Sequence, residues 1–294
     1  MNLFKKKTLL TLSLAFTLGL NINTMAEVDE FAEFDEEEVK VDNAFTFNGM
    51  FEFEEGNKIS NKKLRLKTER VFDQGAFFTK FDFTHDDISH QAYIETRELR
   101  LQYKLNNWLD LSLGRQVTTW GVADMLFIND LSPKNWVANF QGRDMEMLKD
   151  PSNSVRLTSY GAVWTTDLVW TPKFTADRIP RGCYFSSLNP QNGKVELNDN
   201  NCDEYQALNN EGKEIQDDEL AISIKRKISN HELAFYFYEG FYKSPKGVLT
   251  SPSLNYYHPR LNVYGVSDEG QWGPGIFSFE LGYYDSLDEK KGDD

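Results

Sequence analysis

The chain has 294 residues, and its 46 acidic against 32 basic side chains give a formal net charge of −14. Such an acidic balance argues against a DNA- or RNA-binding surface, which needs clustered Lys and Arg to contact phosphate. The balance alone selects no function.

The first 26 residues have the organisation of a secretory signal peptide. Three lysines at positions 5–7 form a charged head, residues 8–20 form an uncharged, apolar-rich run, and small residues precede a cleavage point after Ala26. A membrane-spanning anchor is the alternative, but it needs ~20 apolar residues and this run is shorter. We therefore predict a protein exported by a bacterium, with a mature chain that begins at Glu27.

Residues 27–42 are strongly acidic, and we expect them to form a solvated lead-in on the periplasmic side. From there onward the dominant hydrophobic period is two. The segments in chain order are NAFTFNGMFEF, KKLRLKTERV, AFFTKFDFT, ETRELRLQYKL, WLDLSLG, SVRLTS, VWTTDLVW, ELAISIKRKI, HELAFYFYEGF, PRLNVYGV and GIFSFELGYY. Alternation of this kind predicts β-strands, so we expect an all-β, antiparallel fold with about eleven strands.

The connections between these segments alternate in length. Short turns such as FDQGA, LNN, SYGA and ISNH alternate with generally longer segments, the longest at about residues 118–153 and 172–218. Outer-membrane β-barrels have short periplasmic turns and long extracellular loops. Because a bilayer offers backbone groups no water, strands that cross it must close into a barrel. We predict a transmembrane β-barrel over residues 43–294, with an antiparallel sandwich as the alternative.

The number of strands is odd, whereas bacterial barrels have an even number and both termini in the periplasm. The eleventh segment would end outside, and no final strand with a terminal aromatic residue follows it. We therefore expect a C-terminally truncated portion of a longer barrel. One overlooked strand is the alternative.

Alternation places many charged side chains on the opposite side from the leucines and aromatic residues. Nine basic and seven acidic candidates would line a mixed-charge, slightly basic interior. The predicted pore-lining residues are Lys63, Arg65, Lys67, Lys80, Asp82, Glu98, Arg100, Lys225 and Lys227, and the wider set adds Lys104, Arg156, Glu52, Glu69, Asp110, Asp167 and Glu280. The charges could pair to hold the shape of the barrel, or they could favour small hydrophilic, weakly anionic solutes.

The stretch GRQVTTWG ends the regular pattern of the fifth segment. By parity Gly114 faces the interior and Arg115 faces lipid, unless a bulge turns Arg115 inward. The sequence that follows is apolar for an exposed loop. We predict that residues 118–153 fold into the interior as a constriction or plug, with Arg115, Gln116 and Trp120 at its root. A loop that only caps the barrel is the alternative.

GRQVTTWG at a strand end, the region from Asp130 to Pro133 and the segment VWTPKFTADRIPRG together resemble porin-like outer-membrane proteins of Gram-negative bacteria. That family is largely of unknown function and is loosely akin to alginate-export and substrate-specific porins. The resemblance covers about residues 109–182, and the absent final strands depart from it. It implies diffusion or export of a solute through the outer membrane, where the protein would contact lipid and lipopolysaccharide. It does not identify the solute. Assembly into a homo-oligomer stays open.

Cys183 and Cys202 lie in one polar segment, and export to an oxidising compartment predicts a local disulfide, with two free thiols as the alternative. Asp199, Asp203 and Glu204 lack the spacing of an EF-hand, so we predict no metal site. No cofactor is expected.

The sequence contains no GxSxG elbow, HExxH motif or Walker-type loop, so we predict that the protein is not an enzyme. A scaffold or adhesin barrel with a plugged interior remains an alternative to a channel. A barrel with catalytic groups on its outer wall is the weaker alternative.

Overall fold

The computed structural model describes residues 12–17, 45–56, 59–86, 91–122, 126–140, 143–179, 186–189, 193–196, 217–250 and 253–287. Its elements in chain order are β1 (Leu12–Thr17), β2 (Phe45–Gly56), β3 (Ile59–Phe72), β4 (Gly75–Asp86), β5 (Gln91–Asn106), β6 (Leu109–Gln116), α1 (Trp136–Phe140), α2 (Met145–Leu148), β7 (Ser152–Tyr160), β8 (Thr165–Thr171), β9 (Ser187–Asn189), β10 (Lys194–Glu196), β11 (Glu219–Ile228), β12 (His231–Phe241), β13 (Lys246–Thr250), β14 (Ser253–Tyr257), β15 (Arg260–Trp272) and β16 (Gly275–Ser286).

Twelve of these strands form one antiparallel sheet in which spatial order follows chain order, from β1 through β8 to β11, β12, β15 and β16. The eleven segments predicted from the alternation correspond to β2–β8, β11, β12, β15 and β16, so the all-β, antiparallel fold is confirmed. The sheet is open, with β1 and β16 as its edges. Two small hairpins, β9–β10 and β13–β14, lie in the long connections and were not predicted.

Strand β1 lies within the predicted signal peptide. It pairs with β2, from Leu12 opposite Phe53 to Thr17 opposite Asn48. Cleavage after Ala26 would remove β1 and make β2 the edge strand. The signal peptide stays a prediction, and the acidic lead-in over residues 27–42 lies outside the described residues.

The connections alternate in length as the sequence indicates. The short turns between β3 and β4, β5 and β6, β7 and β8, β11 and β12, and β15 and β16 all lie at one end of the sheet. The long connections after β6, β8 and β12 lie at the other end, where the links between β2 and β3 and between β4 and β5 are as short as turns. From β2 to β16, the long connections are therefore all at one end of the sheet.

Residues that lie directly opposite each other on neighbouring strands project their side chains from the same face of the sheet. Arg65 in β3 lies opposite Asp82 in β4, and Asp82 lies opposite Glu95 in β5. We call this side the polar face, and its buried members include Lys63, Arg65, Asp82, Thr84, Ser112, Asp167, Ser223 and Ser267. The other side is the apolar face, and its exposed members include Leu64, Phe83, Ile94, Leu99, Leu101, Trp170, Ile224, Phe235, Phe277, Phe279, Leu281 and Tyr283.

The burial of these two faces is the reverse of that in a soluble sheet. Asp82 is 0% exposed and Arg65 is 3% exposed, whereas Ile94 is 67% and Leu281 is 58% exposed. Charged side chains are almost never fully buried in soluble proteins unless they are paired. A small apolar core lies near the long-loop end, where Tyr238, Leu261 and Val263 are buried.

A bulge in β5 adds one residue to the polar face. The register between β4 and β5 shifts between Lys80 and Phe81, because Lys80 lies opposite Glu98 and Phe81 lies opposite Thr96. Arg97 is the extra residue, and it is buried. A bulge of this kind re-aims a side chain that the regular pleat would place elsewhere.

Gly114 adopts a backbone conformation that other residues rarely reach, with φ of +118°. The register between β5 and β6 is continuous there, so the bulge considered at Gly114 from the sequence is instead found one strand earlier, at Arg97. A Cβ atom at Gly114 would lie 2.2 Å from the carbonyl oxygen of Leu99. Only glycine fits this position without a backbone shift.

We predict that Gly114→Ala lowers the free energy of unfolding by about 3 kcal/mol, because it adds backbone strain and a collision with a carbonyl group. Gly273→Ala is the matched control, since Gly273 also has a positive φ, of 61°, but a Cβ there meets no atom within 4 Å. The control should lose only about 1 kcal/mol. Urea unfolding followed by tryptophan fluorescence measures both values, and equal losses would contradict the close approach at Gly114.

Candidate functional site

Part of the connection between β6 and β7 covers the polar face. Residues 126–151, as far as the structure describes them, contain α1 and α2, and we call them the crossing segment. The backbone N–H of Asn129 donates to Glu280 of β16 at 2.7 Å. Arg65 of β3 donates to Glu146 of α2 at 2.8 Å. One segment therefore contacts strands near both edges of the sheet, on the same face.

These contacts span most of the width of the sheet. Strands β4 and β16 are eight positions apart in sheet order, which would separate them by roughly 38 Å in a flat sheet at ~4.8 Å per strand. Lys80 of β4 nevertheless binds the same segment that Glu280 of β16 binds. The crossing segment thus ties the early strands to the late strands across the polar face.

The crossing segment also has backbone hydrogen bonds of its own. The N–H of Asn135 donates to the carbonyl of Leu148 at 2.6 Å, and the N–H of Asp150 donates to Pro133 at 2.9 Å. The N–H of Trp136 donates to the carbonyl of Arg178, in the next long connection, at 2.9 Å. The segment is therefore a folded unit and not a loose loop.

Glu146 is held by two cations of the sheet. Its Oε2 accepts from Arg65 Nη1 at 2.8 Å, and its Oε1 accepts from Lys80 Nζ at 2.7 Å. Arg65 also forms two hydrogen bonds of 2.6 Å to the carboxylate of Asp82. We call Arg65, Lys80, Asp82 and Glu146 the Glu146 cluster. It joins α2 to β3 and β4 through charge-assisted bonds, which are stronger than neutral ones.

Electrostatics keeps the carboxylate of Glu146 ionised. Burial acts to raise its pKa, but the charges of Arg65 and Lys80, with a smaller contribution from Lys67, outweigh burial and lower the pKa to about 2. The contact of α2 with the sheet therefore remains an ion pair at neutral and mildly acidic pH.

A second group of charges lies around the bulge residue Arg97. Arg97 Nη1 is 2.9 Å from Asp150, and its Nη2 donates to the carbonyl oxygens of Glu146 and Lys149. Arg178 lies 2.5 Å from Glu95 and 2.6 Å from Asp150. We call Arg97, Glu95, Asp150 and Arg178 the Arg97 cluster. It joins β5, the end of α2 and the loop after β8 into one network, in which Arg97, Asp150 and Glu95 are largely buried and Arg178 is 35% exposed.

A small cavity lies between the start of the connection after β6 and strands β8, β11, β12 and β15. Its volume is about 50 Å³, room for a few water molecules at ~10–15 Å³ each. Tyr238 and Lys243 both donate to Glu219 at 2.5 Å on its wall. Trp120 and Asn129 also line the cavity, and among the described residues Trp120 Nε1 and Asn129 Oδ1 are buried without a hydrogen-bond partner.

The predicted pore-lining residues all project on the polar side, but they differ in burial. Lys63, Arg65 and Asp82 are buried; Lys80, Glu98, Arg100 and Lys225 are half-buried; Lys67 and Lys227 are exposed. The structure brings the first strands' residues together around Glu146, whereas Lys225 pairs with Glu232, at 3.5 Å, several strands away.

Most of the candidate cations have a carboxylate partner. Arg100 lies 2.8 Å from Glu98, and Arg156 binds Asp167 through two bonds of 2.9 Å. The polar face is therefore closer to charge balance than a count of lysines and arginines suggests.

The three predicted root residues lie at the base of the connection. Gln116 is buried, accepts from Ser112 at 2.7 Å and donates to Ser154. Arg115 remains in register with Leu99 and donates from Nε to the carbonyl of Thr96 at 2.6 Å. Trp120 packs beside Tyr236, with ring centres 6.2 Å apart. The predicted cysteine pair, Cys183 and Cys202, lies outside the described residues.

Sequence reasoning missed the residues that attach the crossing segment, namely Glu95, Arg97, Glu146, Asp150 and Arg178. For Arg97 a signal was present. Ile94 and Leu99 both face outward but are five residues apart, and an odd spacing on one face requires an extra residue between them. For Glu146 and Asp150 no periodic pattern exists, because they lie in a long connection.

Neither described helix is long and apolar enough to span a membrane. Within the described ranges, no group of three or more His, Cys, Asp or Glu side chains is arranged to hold a metal ion. No protein-family model matches the chain, and no curated protein matches it. Its function is therefore inferred from the two faces of the sheet and from the crossing segment.

We predict that Arg97→Met releases the crossing segment and lowers the free energy of unfolding by about 3–5 kcal/mol, because buried carboxylate and carbonyl groups lose their donor. Arg100→Met is the matched control, since Arg100 lies in the same strand but is more exposed and pairs with Glu98; its loss should stay below about 1 kcal/mol.

Urea unfolding measures the loss in both variants, and limited trypsin digestion reports on Lys134, Arg143 and Lys149 of the crossing segment. Cleavage there should accelerate in Arg97→Met only. A crossing segment as resistant in Arg97→Met as in the native protein would show that Arg97 does not hold it.

Proposed function

We propose that the protein is a porin-like β-barrel protein of the outer membrane of a Gram-negative bacterium. In this proposal the apolar face contacts lipid and the polar face surrounds a hydrated interior that small hydrophilic solutes cross. The observation that carries the proposal is the inverted burial of the two faces of the sheet.

Water would be a poor solvent for the apolar face. Leucine, isoleucine, phenylalanine and tyrosine side chains from β3 to β16 stand exposed in rows, and exposed apolar surface costs about 25 cal/mol per Å² in water. Contiguous apolar patches larger than a few hundred Å² mark binding or membrane surfaces. Contact with hydrocarbon removes this cost without requiring a second sheet.

The position of the tryptophans supports the same proposal. Trp108, Trp164 and Trp272 are all exposed, and all three lie at the end of the sheet that carries the short turns. Aromatic girdles at the membrane interface are typical of outer-membrane barrels. The short turns would then face the periplasm and the long connections the exterior.

A barrel also requires closure, because unpaired backbone groups in hydrocarbon cost several kcal/mol each. The described sheet leaves the outer edges of β1 and β16 without a strand partner. We propose that in the membrane both of these edges are paired, so that no backbone group faces hydrocarbon without a hydrogen-bond partner.

In a closed barrel the crossing segment would lie inside and narrow the passage, with Arg65, Lys80 and Arg97 as its attachment points. Lys67 is exposed on the polar face beside this attachment, which favours a weak preference for anionic solutes. A second candidate function, a non-conducting scaffold, is favoured by one observation: the crossing segment contacts the polar face near both edges of the sheet.

We predict that Leu101→Arg weakens insertion into lipid vesicles by about 2–4 kcal/mol, because a charge on the lipid side near mid-membrane is costly. Gln102→Arg is the control, since Gln102 is the next residue and projects from the polar face; it should insert normally. Urea-dependent folding into vesicles measures the difference. Equal insertion of the two variants, or a protein that stays dispersed without detergent, would argue for a soluble sandwich.

Solute flux separates the channel from the scaffold. We expect proteoliposomes with the refolded protein to swell in small sugars and to show a reversal potential that favours anions slightly. Lys67→Glu should move that potential towards cations, because it replaces an exposed positive charge beside the proposed constriction. Vesicles that contain correctly folded protein and show no flux would favour the scaffold.

A further inference from the structure

The carboxylate of Glu146 is bound as a small anionic ligand would be bound. Each of its oxygens accepts from a different cation, Arg65 at 2.8 Å and Lys80 at 2.7 Å. Lys67 lies directly opposite Lys80 in the β3–β4 register and adds to the positive potential at Glu146. A carboxylate from the connection after β6 therefore fills a cationic site that belongs to the sheet.

Arg65 and Lys80 also have partners within the sheet. Two bonds of 2.6 Å to Asp82 fix the guanidinium of Arg65, which is 3% exposed. Lys80 lies 4.0 Å from Glu98 and its side chain is 13% exposed. Because the partners within β3–β5 orient these donors, the site is organised in advance for an anion.

The charge at this place is unbalanced without the carboxylate of Glu146. Lys67, Lys80 and Arg65 then face two carboxylates, those of Asp82 and Glu98, and Glu98 also pairs with Arg100 at 2.8 Å. At least one further negative charge is needed for balance, and Glu146 supplies one. Its side chain is 42% exposed, so this carboxylate lies where a dissolved anion could replace it.

We infer that Arg65, Lys80 and Lys67 form a binding site for the carboxylate group of a small solute, which Glu146 occupies as an internal competitor. The inference rests on the proposed function, because a solute would reach this site from the hydrated interior. The solute class is a small monocarboxylate, and its binding displaces the side chain of Glu146 from Arg65 and Lys80 while Arg97 still holds the backbone of the segment.

Competition with an attached ligand predicts weak binding to the native protein. A tethered group acts at an effective concentration in the millimolar range or above. A free carboxylate must exceed that concentration before it displaces Glu146. Removal of the internal carboxylate should therefore reveal a site that the native protein conceals.

The test uses the full-length chain in detergent, with sodium acetate as the probe and sodium chloride to keep the ionic strength constant. Glu146→Ala should have a lower thermal midpoint than the native protein, and acetate should raise that midpoint saturably. Glu146→Gln should not respond, because the amide fills the space of the carboxylate. Adding Lys80→Met to Glu146→Ala should weaken acetate binding about tenfold, since one charge-assisted bond is lost.

The matched control is Glu232→Ala. Glu232 is 41% exposed and pairs with a half-buried lysine of the sheet, Lys225, at 3.5 Å, while Lys227 lies opposite it in the register. Glu232 belongs to a strand, however, and both of these cations are lysines, whereas Glu146 is bound by the buried guanidinium of Arg65. Acetate should leave its midpoint unchanged. An equal response of Glu146→Ala and Glu232→Ala, or no response of folded Glu146→Ala, would overturn the inference.

If Glu146→Ala does not fold, Glu146→Asp retains the charge on a side chain that is shorter by one methylene. Acetate should then act at several-fold higher concentration than expected for the alanine variant, and no response at molar acetate overturns the inference. The assay needs no bilayer, so its result is separable from the proposed function. If acetate raises the midpoint of Glu146→Ala but proteoliposomes show no flux, the binding site is retained and the channel is rejected. If proteoliposomes show flux but acetate has no effect, the channel is retained and the binding site is rejected.

Discussion

The structure depends on the pairing of charges on the polar face, and the buried ion pair between Arg65 and Asp82 is its clearest example. Side chains of a strand alternate between its two faces, and direct register carries one alternation across all neighbouring strands. Once the leucines and aromatic residues occupy one face, the charges must occupy the other. A charge that is removed from water must find a partner or shift its protonation. Arg65 and Asp82 meet that requirement with two bonds of 2.6 Å.

Pairing between adjacent strands does not satisfy every charge, and the crossing segment supplies the rest. Glu146 forms ion pairs with Arg65 and Lys80, and Asp150 forms an ion pair with Arg97. The sheet in turn fixes a segment whose two helices span only four and five residues, too short to be stable alone. The charges of the polar face and the fold of the crossing segment therefore depend on each other.

The period-two pattern was enough to predict the strands and, away from the bulge at Arg97, the face that their side chains occupy, because both follow from local geometry. It predicted Arg65, Asp82 and Lys80 on one side and Leu101 on the other, and the structure agrees. The partners of these charges could not be predicted in the same way. Glu146 reaches Arg65 across 81 positions of sequence, and nothing periodic marks its place. The bulge that adds Arg97 was detectable only as an odd spacing between outward-facing residues.

The two charge clusters differ in how firmly they hold the crossing segment. In the proposed channel, that difference bears on whether the passage stays narrow or can widen. Arg97 contacts one carboxylate of the segment and two backbone carbonyls, all of them in a largely buried network that also includes Arg178. Its loss would expose several unpaired groups at once. Glu146 is a single side chain that is partly open to solvent, and a dissolved anion can replace its contribution at little energetic cost. Movement of the Glu146 side chain away from Arg65 and Lys80, with the backbone of the segment still held at Arg97 and Glu280, is therefore the rearrangement that costs least. In the proposed channel, this movement would widen the passage beside β3 and β4 without unfolding the segment.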